Sequence, residues 1–325
     1  MEVYFKDFIG SAAILGIDVI SYYSMKKNYE LKKVPKEGQM KIGKRLFERF
    51  KAITEKYNDN AEYYDYVEYF DNVVNYCFPS GLLENYRRNL STLIINKLHF
   101  QLGDFLRVGR FGGRYCADDN SIQIDADERN NKTIFHELFH LASSDRINNN
   151  VGLTFNRRKG RALNEGYTDV LTERYFGNVG YKKSYINESV YASLLEQIVG
   201  KMFMERCFLM ADAKSLFIEL EKYDSLDNIL CFINGIDNIA TYEPLDLKKQ
   251  SYSNMAYYLI NSYIRKKVIN GENIFDPVVK DDVLRFVYQI PGQVTFDGQE
   301  IIIDLAKITN EIVDRITLES KFVRY

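Results

Sequence analysis

The sequence predicts an α+β protein that is predominantly helical, with one small twisted mixed sheet near its middle. Three observations carry that prediction. Apolar residues recur at spacings of three and four along both the first and the last third of the chain. Strand-like alternation is confined mostly to Leu106 to Asp125. Only 5 prolines interrupt 325 residues, and 25 tyrosines with 21 phenylalanines supply aromatic packing in a chain without tryptophan.

The elements follow in order. Phe8 to Tyr23 is mostly apolar and reads as an amphipathic helix packed on the body. Glu2, Lys6 and Asp7 give no positive leader, Asp18 breaks the apolar run and no small-residue cleavage site follows. Neither an export signal nor a bilayer span is expected there, and the cytoplasm is the default location. Lys44 to Tyr57, Ala61 to Tyr76 and Leu82 to Leu102 read as helices. From Leu106 the pattern changes to glycines at 109, 112 and 113, then Arg114-Tyr115-Cys116, a turn at Asp118-Asp119-Asn120, and Ser121-Ile122-Gln123-Ile124-Asp125. That run predicts strand, polar turn, strand. Helices return at Val190 to Leu220, Leu226 to Asn234, Leu247 to Val268, Val278 to Ile290 and Leu305 to Ile316. Asp297-Gly298, between Val294-Thr295-Phe296 and Ile301-Ile302-Ile303, is compatible with a hairpin. The expected division is an N-terminal helical region (1–100), a core (101–185) and a C-terminal helical subdomain (186–325) that closes a cleft.

Composition removes several classes of function. With 46% hydrophobic and 27% charged residues the chain has the balance of a folded protein. Its net charge is -2, and its basic residues come as short pairs such as Lys26-Lys27 and Lys32-Lys33, so nucleic acid is not the expected partner. The cysteines at 77, 116, 207 and 231 are too dispersed for a disulfide framework and read as reduced thiols. No internal repeat is present.

The informative segment is Thr133-Ile134-Phe135-His136-Glu137-Leu138-Phe139-His140-Leu141-Ala142, which contains His-Glu-x-x-His in a chain with only 3 histidines. Chance produces such an arrangement in roughly one comparable sequence in a thousand. At about 100° per residue the two histidines fall about 40° apart on a helix, one turn above the other, so both imidazoles reach one metal ion. Glu137 lies on the same side, near enough to touch a metal-bound water. Ile134, Phe135, Leu138, Phe139, Leu141 and Ala142 fill the opposite arc and predict a buried face.

A catalytic zinc needs a third protein ligand and an open position. No histidine follows His140, and six residues on stands Arg146. The better donor lies in Ala162-Leu163-Asn164-Glu165-Gly166-Tyr167-Thr168-Asp169, where Glu165 and Asp169 share a helix face. Glu165 is placed to coordinate the metal and Asp169 to accept a hydrogen bond from a ligand histidine.

His136-Glu137-Leu138-Phe139-His140 followed by Asn164-Glu165-x-x-x-Asp169 resembles the gluzincin zinc metallopeptidases, the thermolysin-like group in the broad sense, over residues 106–176. The resemblance implies a zincin-like catalytic core with its sheet beside the active-site helix, Zn2+ held by His136, His140 and Glu165, Glu137 as general base, and Asp169 with Asn164 supporting the ligands. It implies a peptide or protein substrate bound along a cleft-edge strand, which Ser121, Ile122, Gln123 and Ile124 resemble. The linker between His140 and Glu165 is longer than in thermolysin and leaves room for a loop or hairpin at Val151 to Phe155 and Arg161 to Leu163. The family also stabilises the oxyanion with a downstream His or Tyr. This chain has no such His, so Tyr252, Tyr257 and Tyr258 are the candidates. Two other readings stay open: a catalytically inactive zincin-fold binding protein, and a zinc hydrolase of a non-peptide amide.

The remaining polar and aromatic features read as structural. His99 is expected to be a satisfied packing residue, the tyrosines of 57–76 packing groups, and Cys116 a buried thiol. Asp118, Asp119, Asp125, Asp127 and Glu128 lack the ordered spacing of a calcium loop and read as a polar turn.

Overall fold

The computed structural model describes residues 63–98, 112–125, 133–155, 159–177, 181, 183–239, 245–296 and 298–322. The helices expected at Phe8 to Tyr23 and Lys44 to Tyr57 lie outside the described residues, as do His99, Asp127 and Glu128.

The chain is mostly helical around a small mixed sheet. Helix α1 (Tyr64–Cys77) and the short α2 (Glu84–Leu90) lead into β1 (Ile94–Leu98), followed by β2 (Gly113–Cys116) and β3 (Ser121–Asp125). The strand order is β1-β3-β2, with β1 parallel and β2 antiparallel to β3. Next come α3 (Thr133–Ala142), a minimal hairpin of β4 (Ser144–Asp145) and β5 (Asn150–Val151), and α4 (Arg161–Phe176). Five helices follow: α5 (Ile186–Val199), α6 (Lys201–Leu209), α7 (Ala213–Leu220), α8 (Leu226–Asp237) and α9 (Leu245–Ile269). The chain continues through α10 (Pro277–Val287), a hairpin of β6 (Gln293–Phe296) and β7 (Gln299–Ile302), and α11 (Leu305–Phe322).

Two expectations need correction. Leu82 to Leu102 is not one helix, because α2 stops at Leu90 and Ile94 to Leu98 becomes β1. The apolar run that fits a helix face also fits a strand, and the register Ile95 to Ile122 lets β1 pair along the whole of β3. The connection from His140 to Glu165 does contain a hairpin, but at β4 and β5. Arg161 to Leu163 is already the first turn of α4, and a bridge between Phe155 and Lys159 precedes it.

Helix α3 is the centre of the core, with every side chain from Ile134 to Ala142 buried. One side packs on β2 and β3, where Ile122 and Ile124 are fully buried, and the rest is held among α1, α2 and α4. Phe176 of α4 stacks on Phe135 at 4.4 Å and on Phe70 of α1 at 5.3 Å, while Phe139 meets Phe70 edge-on at 5.0 Å. This aromatic block is what the apolar arc of the His-Glu-x-x-His helix faces. Each fully buried phenylalanine contributes about 2 kcal/mol through area removed from water.

The end of α3 is held by α2. Asn89 donates from Nδ2 to the carbonyls of Leu141 at 2.9 Å and Ser144 at 2.7 Å, groups left over where the helix stops. Asn120, at φ 57° in the β2–β3 turn, donates to the Asn89 carbonyl at 2.7 Å and so ties the sheet to the same point.

Candidate metal centre

His136 and His140 stand on successive turns of α3, and Glu165 reaches them from α4. Nε2 of His136 lies 3.0 Å from Nε2 of His140 and 3.0 Å from Oε2 of Glu165, and His140 Nε2 lies 3.1 Å from the same oxygen. Donors bound at about 2.0–2.1 Å around a tetrahedral zinc are about 3.3 Å apart, so this near-equilateral triangle fits three ligands on one face and leaves the fourth direction open. Among the described residues this is the group of His, Cys, Asp and Glu side chains whose ligand atoms converge. Two nitrogens and one carboxylate oxygen form a donor set suited to zinc.

The ligands are held from behind. His136 donates from Nδ1 to Asp169 Oδ1 at 2.8 Å, which turns Nε2 toward the triangle. Asp169 is fully buried and also accepts from the Tyr181 hydroxyl and from the backbone amides of Ser184 at 2.7 Å and Tyr185 at 2.6 Å. Burial raises the Asp169 pKa, but His136 and these other donors outweigh it and hold the carboxyl below its usual range. Burial likewise opposes a charge on His136. Its hydrogen bonds to Asp169 and Glu165 prevail and hold its pKa up to about 10. The Asn164 amide nitrogen lies 3.3 Å from His140 Nδ1, and Asn164 Oδ1 accepts from the Leu153 amide at 2.9 Å, joining His140 to the chain after β5. A Cβ at position 152 would lie 2.0 Å from that oxygen, and Gly152 has φ +52°, so glycine is required there.

Helix α4 starts without a side-chain cap of its own, since Gly160 occupies the cap position at φ 76°. Asp237 at the end of α8 supplies one, accepting from the amides of Gly160 at 2.7 Å and Ala162 at 2.9 Å. The first turn of the helix bearing Glu165 is thus fixed by a residue 75 positions further on.

The centre opens into a cleft of about 530 Å³. Glu137 lines it beside His140 and Glu165, and Tyr115 borders it from β2. Burial raises the Glu137 pKa, partly offset by the two histidines and by the backbone amide of Tyr115. The substrate-strand expectation is corrected by the sheet order. Ser121, Ile122, Gln123 and Ile124 lie in the central strand β3, bonded to β1 on one side and β2 on the other. The outer strand β2 borders the cleft instead. The Asp125 amide donates to the Gly112 carbonyl at 3.0 Å, which fixes the ladder so that the backbone groups of Gly113 and Tyr115 point away from β3.

The structure does not bring the three candidate tyrosines of α9 to the cleft lining. Tyr258 is buried against Phe232 at 4.5 Å, Tyr257 lies under the Arg315 guanidinium at 5.4 Å, and Tyr252 is buried. They face the neighbouring helices because α9 packs between α8 and α11. Tyr185, which sequence reasoning missed, lines the cleft with its ring 5.8 Å from that of His136. Burial, then Glu165 and Glu137, push its pKa far up, so its hydroxyl is a neutral hydrogen-bond donor. Its signal was faint: a tyrosine one residue before a helix, on the segment that follows the Asp169 helix. Cys116 is half-buried and its pKa is raised by burial. Asp119 accepts from the Ser121 amide and hydroxyl within its own turn.

No family model, no curated protein and no solved structure matches the chain. No helix among the described residues is long and apolar enough to cross a membrane.

Proposed function

We propose that the chain is a zinc-dependent metallopeptidase of the gluzincin type, with a zincin-like core, acting as an endopeptidase. The observation that carries this reading is the convergence of His136, His140 and Glu165 on one point, with Glu137 beside them in a cleft that an outer strand borders. A metal site of purely structural purpose has no use for a buried carboxylate that ligates nothing, which favours an enzyme over an inactive binding protein. The outward amide and carbonyl of Gly113 and the outward carbonyl of Tyr115 suit an extended polypeptide better than a small amide.

A zinc ion held by the three ligands would supply Lewis acidity, lowering the pKa of water toward about 7 and polarising a carbonyl. The protein's own groups do the rest. Asp169 keeps His136 in the tautomer whose Nε2 faces the ion. Glu137 takes the proton of the attacking water and delivers it to the leaving amine, and its burial keeps that carboxylate basic. The Tyr185 hydroxyl donates to the oxygen that becomes negative, and the Gly113 backbone with the Tyr115 carbonyl holds the substrate backbone, the Tyr115 amide being engaged with Glu137.

The test is metal content with cleavage of an unstructured protein. One zinc per chain, lost in His140→Ala and Glu165→Ala, with Glu137→Gln keeping its zinc but not cleaving, is the expected result. Zinc bound at full occupancy with no cleavage of any polypeptide would refute the peptidase reading, and absence of zinc would refute the metal centre.

A further inference from the structure

The hairpin between the two ligand-bearing helices is pinned at three points. Asp145 Oδ1 accepts from the amides of Ile147 at 3.1 Å and Asn148 at 3.4 Å, and its Oδ2 from the Asn148 side chain at 2.6 Å, so the loop is held from inside. Arg146 holds it from outside, donating from Nε to the Ala117 carbonyl at 2.7 Å and from Nη2 to the Asp118 carbonyl at 3.0 Å. The hairpin is thereby tied to the turn that follows β2. Behind it, the Gly152 amide donates to the Ser143 carbonyl at 2.9 Å, which fixes the end of β5 to the end of α3.

This frame presents Asn149 to the cleft, at φ 57° where the loop enters β5. Tyr115, Thr154, Asn164 and Arg114 also line the cleft, but each is bonded to the protein, and Asp118 and Arg161 have interactions of their own. The Asn149 side chain is exposed and has no hydrogen-bond partner among the described residues. The positive φ by itself is met by glycine as well as by asparagine, so the turn does not require the carboxamide. That group carries a C=O and an NH2 side by side, the complement of the N–H and C=O of a peptide unit. It is also uncharged, and so meets the backbone of a substrate whatever its side chains are.

We infer that the Asn149 carboxamide binds a backbone peptide group of the substrate, its Oδ1 accepting from an N–H and its Nδ2 donating to a C=O, which makes the β4–β5 hairpin a second substrate-holding element beside β2. This rests on the peptidase reading, so the test separates the two. Zinc-loaded protein is titrated with acetohydroxamate, with a peptide hydroxamate, and with versions of that peptide in which each backbone N–H in turn is replaced by an ester oxygen. Cleavage of an unstructured protein is followed separately. Asn149→Gly keeps the positive φ and removes the carboxamide. It should bind the peptide hydroxamate about tenfold more weakly than the wild type and acetohydroxamate equally well, at unchanged zinc content and unfolding midpoint. One ester should weaken wild-type binding about tenfold and cost nothing further in Asn149→Gly. Equal binding of the peptide by the two proteins, or ester penalties identical in both, would overturn the inference even if polypeptides are cleaved. The coupling seen without cleavage would uphold it and refute the peptidase reading. No binding by any hydroxamate would overturn the inference, and with no cleavage the peptidase reading as well.

Discussion

Asp169 is the residue on which the geometry of the centre turns, and Asp169→Asn isolates its charge from its shape. The wild-type carboxylate takes four donors: His136 Nδ1 and the Tyr181 hydroxyl on Oδ1, and the amides of Ser184 and Tyr185 on Oδ2. An asparagine keeps one acceptor oxygen and turns an NH2 group on the other pair. The amides of Ser184 and Tyr185 can only donate, so they keep the oxygen, and the NH2 then faces His136 Nδ1 and the Tyr181 hydroxyl, which lose the charged acceptor they had in a site with no exposure to water. Hydrogen bonds to a charged acceptor contribute about 1.5–3 kcal/mol each, so losing two of them predicts a loss of about 3–5 kcal/mol of folding stability. The orientation of His136 is weakened as well, and zinc affinity should fall about 10- to 100-fold, as when the partner behind a ligand histidine is removed. Denaturant unfolding of the metal-free protein measures the first quantity and competition with a chelator the second. The two readouts have separate causes. If the Asn variant unfolded at the wild-type midpoint and held zinc as tightly, Asp169 would not be what orients His136.

Three further outcomes follow from other contacts. A Cβ at position 166 would meet the backbone carbon and oxygen of Glu188 at 2.4 Å, about 1 Å inside ordinary contact. Gly166→Ala should therefore push α4 from α5, cost about 1–3 kcal/mol and, by shifting the neighbouring Glu165, lower zinc affinity in the same chelator competition. Tyr185→Phe should keep zinc and stability but lower kcat about 100-fold on a cleavable peptide, whereas Tyr258→Phe should leave kcat unchanged. Phe176→Ala opens a cavity between Phe135 and Phe70 and should cost about 3–5 kcal/mol in denaturant unfolding, with any loss of zinc following the loss of fold.

What was legible in the sequence, and what was not, divides by the range of the interaction. His136 and His140 converge because a helix repeats its face every three or four residues, a rule that needs no tertiary information. The same rule put Glu165 and Asp169 on one side of a second helix. The β2–turn–β3 unit and the β6–β7 hairpin were legible from alternation around polar and glycine turns, which are also local. Strand β1 was not, because Ile94 to Leu98 carries apolar residues that suit either period and only its partner β3 decides between them. The same partner decides the substrate strand: the family resemblance makes Ser121 to Ile124 the cleft-edge strand, whereas pairing on both sides makes β3 central and leaves β2 outermost among the described strands. The expectation that Tyr252, Tyr257 or Tyr258 reaches the cleft failed for a related reason: a helix rich in tyrosine presents many hydroxyls, and which of them meets the cleft depends on what α9 packs against.

The same distinction explains why the centre depends on more of the chain than the segment that carries its ligands. Two donors are supplied by α3 alone, but the third comes from a helix whose first turn is capped by Asp237, 75 and 77 residues beyond the amides it receives. The carboxylate behind His136 is saturated only when Tyr181, Ser184 and Tyr185 close over it, and that places Tyr185 against the His136 ring. Both anchors lie beyond the end of α4. A chain ending at residue 177 would keep the whole His-Glu-x-x-His and Asn-Glu-x-x-x-Asp pattern, yet it would leave a helix start without its cap and a buried carboxylate with one donor in place of four. The motif supplies the three candidate ligand atoms, while the helices after it supply the contacts that keep those atoms within a hydrogen-bond length of one another.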